Sequence, residues 1–193
     1  MSDLTNDTIK NHKKATIMNP RKIIIIDTET TGLPASRFSK IEDTDDWPHI
    51  VQIAWIVCEK RGTNRTGTKL REIKRESHII KPRNWEIPIE SMAIHGISNF
   101  RANVDGIPLE HVFHALRNDM ETCDAMCCHN VAFDLKVILA EEYRLTGSWE
   151  SSIFNYIPKI CTMEIGRGMF RIPLDNPHPK SRNKFKAPRL AEM

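Results

Sequence analysis

Lys22-Ile-Ile-Ile-Ile-Asp27-Thr-Glu-Thr-Thr-Gly32-Leu-Pro34 is the stretch on which the fold turns. Four β-branched residues in a row suit a strand buried on both faces. Thr30, Thr31, Gly32 and Pro34 supply the turn chemistry that ends it. Side chains alternate along a strand, so Asp27 and Glu29 point to one face. Two carboxylates on one face repel unless something neutralises them, and their hard oxygens suit Mg²⁺ or Mn²⁺. Taken alone, the pair reads equally well as turn acids capping a strand end.

Working outward, residues 1–20 are polar and carry no apolar period, which predicts a flexible leader ending at Asn19-Pro20. Residues 35–48 read as a polar loop with an acidic run from Glu42 to Asp46, followed by Trp47-Pro48. Val51 to Val57 and Glu72 to Lys81 read as further strands, with a turn over Arg61 to Gly67 between them, giving an antiparallel meander. Pro88 to Ile97 contains a short helical stretch. Pro108 to Met120 sets Leu109, Val112, Phe113, Leu116 and Met120 at helical spacing. Cys123 to Cys128 is a short strand, and Val131 to Leu145 a helix with Val131, Leu135, Ile138 and Leu139 on its apolar side. Antiparallel strands followed by strand–helix units predict an α/β sheet with helices packed on it.

The 193 residues amount to one domain, and 40% hydrophobic residues suffice for a core. A net charge of +3 with 27% charged residues does not by itself indicate a nucleic-acid partner. Five cysteines, an odd number, and no signal-peptide pattern predict a reduced, soluble, intracellular protein. The run Ile23 to Ile26 is far too short to cross a membrane, so no membrane partner is expected. Residues 167–189 hold seven basic residues against Asp175 and are interrupted by prolines, which predicts an extended basic segment. Such a segment is either a phosphate-contacting strand or a solvated surface.

A second acid, Asp134, lies in His129-Asn-Val-Ala-Phe-Asp134, where a strand gives way to a helix. An acid in a first helical turn is favoured by the helix dipole, which accounts for Asp134 alone but not for its pairing with Asp27-Thr-Glu29. The two motifs in order resemble those of the DEDD exonucleases, in the histidine-containing (DEDDh) branch of DnaQ-like proofreading subunits and ribonuclease T. Ile50-Val-Gln-Ile-Ala54 is similar to that family's second strand. Met92-Ala-Ile-His-Gly-Ile97 is similar to its substrate segment, and Cys161-Thr-Met163 to a stretch after the second motif. The likeness covers roughly residues 21–193.

The resemblance implies a ribonuclease H-like mixed β-sheet flanked by helices. It also implies 3′–5′ hydrolysis of nucleotides from single-stranded DNA or RNA 3′ ends, with two divalent cations, Mg²⁺ or Mn²⁺, as cofactors. Asp27 would bridge both cations, Glu29 would hold the one nearest the attacking water, and Asp134 would support the other. Thr28 and Thr30 would face the terminal nucleotide, Asn130 and Phe133 would line the same pocket, and His95, Gly96 and Ile97 would shape the base or sugar site. Gly96 and His95 are also suited to ending a helix, Phe133 to a core position, and Trp47 either to stacking on a base or to packing on its own scaffold.

The family's third motif, a general-base histidine with an aspartate five residues on, is expected after Pro188-Arg-Leu-Ala-Glu-Met193, so the sequence reads as incomplete before the last helix. His178 has Asn183 at the matching place, and His129 with Asp134 already forms the second motif. Little or no nuclease activity is therefore expected of these residues alone. A protein or second chain is expected to cover the incomplete sheet. The alternative function is a non-catalytic nucleic-acid-binding or interaction module derived from the same fold. A zinc site at Cys123, Cys127, Cys128 and His129 is disfavoured, because adjacent Cys127 and Cys128 would face opposite sides of a strand. His111 and His114 share a helix face without nearby acids, which suits a solvated surface.

Overall fold

The computed structural model describes residues 20–62, 69–174 and 185–187. The isoleucine run becomes β1 (Lys22–Thr30), the middle strand of a five-stranded sheet ordered β3-β2-β1-β4-β5. Ile24 and Ile26, on the face covered by helices, are fully buried. β2 (Ile50–Arg61) pairs antiparallel with β1, and β3 (Lys69–Ile79) antiparallel with β2. β4 (Ala125–Cys128) and β5 (Lys159–Cys161) add in parallel on the other side. The meander followed by strand–helix units is thus the observed order. The turn read over Arg61 to Gly67 has its start in β2, and residues 63–68 lie outside the described residues, as do residues 1–19 of the leader.

Between the strands lie α1 (Ile89–His95), α2 (Asn99–Asp105), α3 (Leu109–Met120), α4 (Val131–Thr146), α5 (Ile153–Tyr156) and α6 (Thr162–Phe170). All five residues set at helical spacing on α3 are buried. They pack with Val137 to Ala140 of α4 against Ile24, Ile26, Ile53, Trp55, Val57, Met126 and Cys128 on one sheet face. Burying that many branched and aromatic side chains, at about 1.5–3 kcal/mol each, is the main source of stability. A separate cluster of Val51, Ile79, Ile87, Ile97 and Ala102 seats α1 and α2. On the opposite sheet face Ile23, Cys58 and Ala125 are buried, with Ile25, Ile56 and Ile160 partly so, and every member of that cluster comes from a strand.

One feature differs from the sequence reading. The basic segment expected to be extended from residue 167 begins inside α6, which runs to Phe170 and ends with Arg171 in the left-handed region at φ 49°. Beyond it, Pro173 bridges Phe185 and the Lys186 amide donates to the Ile172 carbonyl, while residues 175–184 and 188–193 lie outside the described residues. Trp47 does not present itself for stacking: it is 4% exposed, its indole N–H donates to the Lys40 carbonyl, and it belongs to the core. Ile97 likewise is 2% exposed, so its side chain serves the core. Gly96 is the left-handed cap of α1 at φ 74°, its amide donating to the Met92 carbonyl.

Candidate active site

Ile25 and Cys127 are register partners in the parallel pair β1–β4, so two residues further along, Asp27 comes level with His129. The carboxyl ends of adjacent parallel strands in an open α/β sheet are the usual place for a ligand site. Alternation along β1 then sorts the side chains. Asp27 and Glu29 share one face, while the buried Thr28 turns towards α4 and its hydroxyl donates to Asp134 Oδ1 at 2.9 Å. Asp134, 3% exposed in the first turn of α4, therefore reaches the site from the helix-covered side of β1.

The three carboxylates disturb one another. Burial pushes the Asp134 carboxyl up to about 7; the Thr28 hydroxyl opposes that rise and the Asp27 charge adds to it. Glu29 is raised by burial first and then by Asp27, with His95 pulling the other way. Asp27 is itself raised by burial, partly offset by His129 and the Thr28 amide, although its outer side is open to solvent. Among the described residues no lysine or arginine pairs with any of the three.

His95 accepts the Ile97 amide proton on Nδ1 at 3.1 Å, which places the ring's own proton on Nε2 when the ring is neutral. That Nε2 is buried and has no hydrogen-bond partner among the described residues, so it is a donor without an acceptor. His129 is held through Nδ1 by Thr162 Oγ1 at 3.0 Å, and the Thr162 hydroxyl reaches the Cys128 carbonyl at 3.4 Å. Thr30 spends its hydroxyl on the Gly32 carbonyl at 2.7 Å, so what it and Thr28 leave towards a ligand is backbone. Asn130 sits in the left-handed region at φ 68°, exposed at the strand-to-helix turn. With Phe133, which also packs on the core, it lines a groove of about 280 Å³. A larger cleft of about 680 Å³ opens beside Thr31 and Gly32, but none of the three carboxylates lines it.

A second histidine–aspartate pair with five-residue spacing, His114 and Asp119, escaped the sequence reading. It lies on α3, where Asp119 is taken by the Trp55 indole at 2.7 Å and Lys74 at 2.8 Å, and His114 is exposed. It belongs to the scaffold. Thr162 was seen only as part of a similar stretch, and no sequence signal marks it as the partner of His129. Cys127 and Cys128 occupy opposite faces of β4, Cys128 within the main core.

Among the described residues no group of three or more His, Cys, Asp or Glu side chains is gathered closely enough to form a ready-made cage. Mg²⁺ does not need one, since it is ordinarily held by one or two carboxylates, its own waters and substrate phosphates. Asp27, whose charge raises both Glu29 and Asp134, fits that mode of binding together with them, since none of the three has a lysine or arginine partner among the described residues.

Residues 24–172 match the family model of the RNase T exonucleases, and the chain belongs to that family. It has the DnaQ-like, ribonuclease H-like fold of a mixed sheet flanked by helices. Escherichia coli exonuclease I in complex with a 5cy-dA13 oligonucleotide is similar at a TM-score of 0.57 and 17% identity, over 89% of this chain and 35% of that one. The same enzyme with a dT13 oligonucleotide gives 0.53 and 17%, over 85% and 33%. The chain thus spans about a third of the length of those structures. No curated protein matches it by sequence. Among the described residues no helix is long and apolar enough to cross a membrane.

Proposed function

We propose that the chain is a metal-dependent 3′–5′ exonuclease domain acting on single-stranded nucleic-acid ends. The observation that carries this is the gathering of Asp27, Glu29 and Asp134 near the carboxyl ends of β1 and β4, with no lysine or arginine paired to them among the described residues. Asp27, Glu29 and Asp134 would hold Mg²⁺ or Mn²⁺, which neutralises phosphate charge and lowers the pKa of a bound water.

The chain's own residues do the rest. Thr28 fixes the orientation of Asp134, and Thr162 fixes the ring of His129. The Nε2–H of His95, without a partner among the described residues, would serve an acceptor on the terminal sugar or base, and the Ile97 amide holds that ring through Nδ1. Asn130 and Phe133 line the groove on the Asp134 side. The third-motif pair is not supplied by His114 and Asp119, which are engaged elsewhere.

A 5′-labelled single strand incubated with excess protein and Mn²⁺ is expected to shorten from its 3′ end, and Asp27→Asn is expected to abolish that shortening. Absence of both Mn²⁺ binding by calorimetry and strand shortening would rule the reading out. Mn²⁺-dependent strand binding without any shortening would instead support the non-catalytic module.

A further inference from the structure

The two sides of the carboxylate site differ. Glu29 has His95 beside it, whereas Asp134 has Asn130 and Phe133, which open onto the groove completed by Pro34, Arg37, Trp47, Ala132 and Lys136. Pro34 and Arg37 belong to the loop directly after the Asp27–Thr31 motif, so this groove is walled by the segments that follow both carboxylate motifs. At the loop's tip Phe38 is 78% exposed. Its ring is not loose. The Arg37 guanidinium lies over it, 4.6 Å from the centroid. The Phe38 amide donates to Ser36 Oγ at 3.1 Å, the Ser39 hydroxyl donates to Asp46 at 2.5 Å, and the Ala35 amide donates to the Asp46 carbonyl at 2.8 Å. Lys136 of α4 ties the loop down, its ammonium donating to the Arg37 carbonyl at 2.7 Å and lying 5.5 Å from the Trp47 ring centroid. That ammonium keeps two further donors, and among the described residues no carboxylate pairs with Arg37 or Lys136.

An exposed aromatic face beside two cations unpaired by acids is the combination that holds single strands: bases stack on the ring and phosphates meet the charges, with little regard to sequence. We propose that the 33–38 loop and the first turns of α4 form an upstream subsite for a single strand, with a base stacked on Phe38 and phosphates facing Arg37 and Lys136. The proposal rests on the exonuclease reading, in which the 3′-terminal nucleotide lies on the His95 side and the preceding nucleotides cross the groove. Stacking on a ring already held by its loop and by Arg37 requires little further ordering.

The test uses the full chain, Ca²⁺ in place of Mn²⁺, and fluorescein-labelled oligothymidylates read by anisotropy, one a dinucleotide and one a decanucleotide. Phe38→Ala is expected to weaken the decanucleotide about tenfold and to leave the dinucleotide unchanged, while Phe38→Trp retains the affinity. Arg37→Ala and Lys136→Ala are each expected to flatten the dependence of log affinity on log salt by about 0.7. Unchanged decanucleotide binding by Phe38→Ala, or equal losses for both lengths, overturns the subsite and leaves the exonuclease reading standing. Failure of the wild-type chain to bind either strand overturns both. The exposure of Phe38 keeps its substitution from disturbing the fold, which circular dichroism checks.

Discussion

In the metal-free chain, Asp134→Asn is expected to raise stability at pH 8 by up to about 4 kcal/mol and to have almost no effect at pH 3, below both pKa values. The Asp134 carboxyl is 3% exposed and pushed up to about 7, against 3.8 for an ordinary aspartate. Between those two values the folded chain binds a proton that the unfolded chain has released. Stability therefore falls as pH rises from about 4 to about 7, and above 7 the full cost of ionising a buried group remains. Asparagine carries no charge to bury and can still accept the Thr28 hydroxyl. Its amide group needs partners of its own, which trims the gain. Urea unfolding at both pH values measures the effect, and identical pH profiles for the two proteins would sink it. Added Mn²⁺ is expected to stabilise the wild type, by about 2.7 kcal/mol at a hundred times its Kd, and to stabilise the asparagine variant less. The site would then be a case of stability given up for function.

Glu141→Ala is expected to cost about 3–5 kcal/mol, the usual penalty for stripping one partner from a buried charged network. Glu141 is 4% exposed. It binds His49 Nδ1 and the Ile50 amide, each at 3.0 Å, and Arg144 at 3.2 Å. Arg144 reaches on to the carbonyls of Thr44, Trp47 and Pro48, clamping that loop to α4. His49 in turn stacks on Trp85 at 4.9 Å and exchanges two hydrogen bonds of 2.9 Å with Thr31, just past Glu29. The alanine variant thus leaves a largely buried guanidinium without its acid and slackens the turn behind the carboxylates. Glu141→Gln keeps the hydrogen bonds without the charge and is expected to fall between. An alanine variant within about 1 kcal/mol of wild type, by chemical denaturation, would show that the surrounding carbonyls hold Arg144 unaided.

What could be read from the sequence was whatever depends on local periodicity. The isoleucine run of β1 and the apolar positions of α3 declare themselves, because, Thr28 apart, the residues those elements bury are apolar. α2 was missed because its pattern is inverted: Ala102 is its one buried residue, while Phe100 and Val104 are 78% and 65% exposed. β5 has three residues, too few to show a period. α6 was masked by Gly166, Gly168 and the basic residues that begin at Arg167. In the site, the placement of Asp27 and Glu29 on one face follows from alternation alone. The support around them was not legible, since Glu141 lies 92 residues from His49 and Thr162 33 residues from His129, and neither belongs to a recognisable spacing. Ile97 and Trp47 show the converse, as residues whose motif suggests contact with a ligand but whose side chains the core has claimed.

The central position of β1 gives the carboxylates a particular mechanical standing. Hydrogen-bonded to β2 on one side and β4 on the other, the strand has no free edge from which to fray. Its amides are expected to belong to the slowest-exchanging class, those that meet deuterium only when the whole domain opens. The 33–38 loop has no ladder and is pinned by side-chain contacts through Ser36 and Lys136, so its amides are expected to exchange faster. In the proposed reading the carboxylates and the segment that meets a passing strand would then belong to different cooperative units.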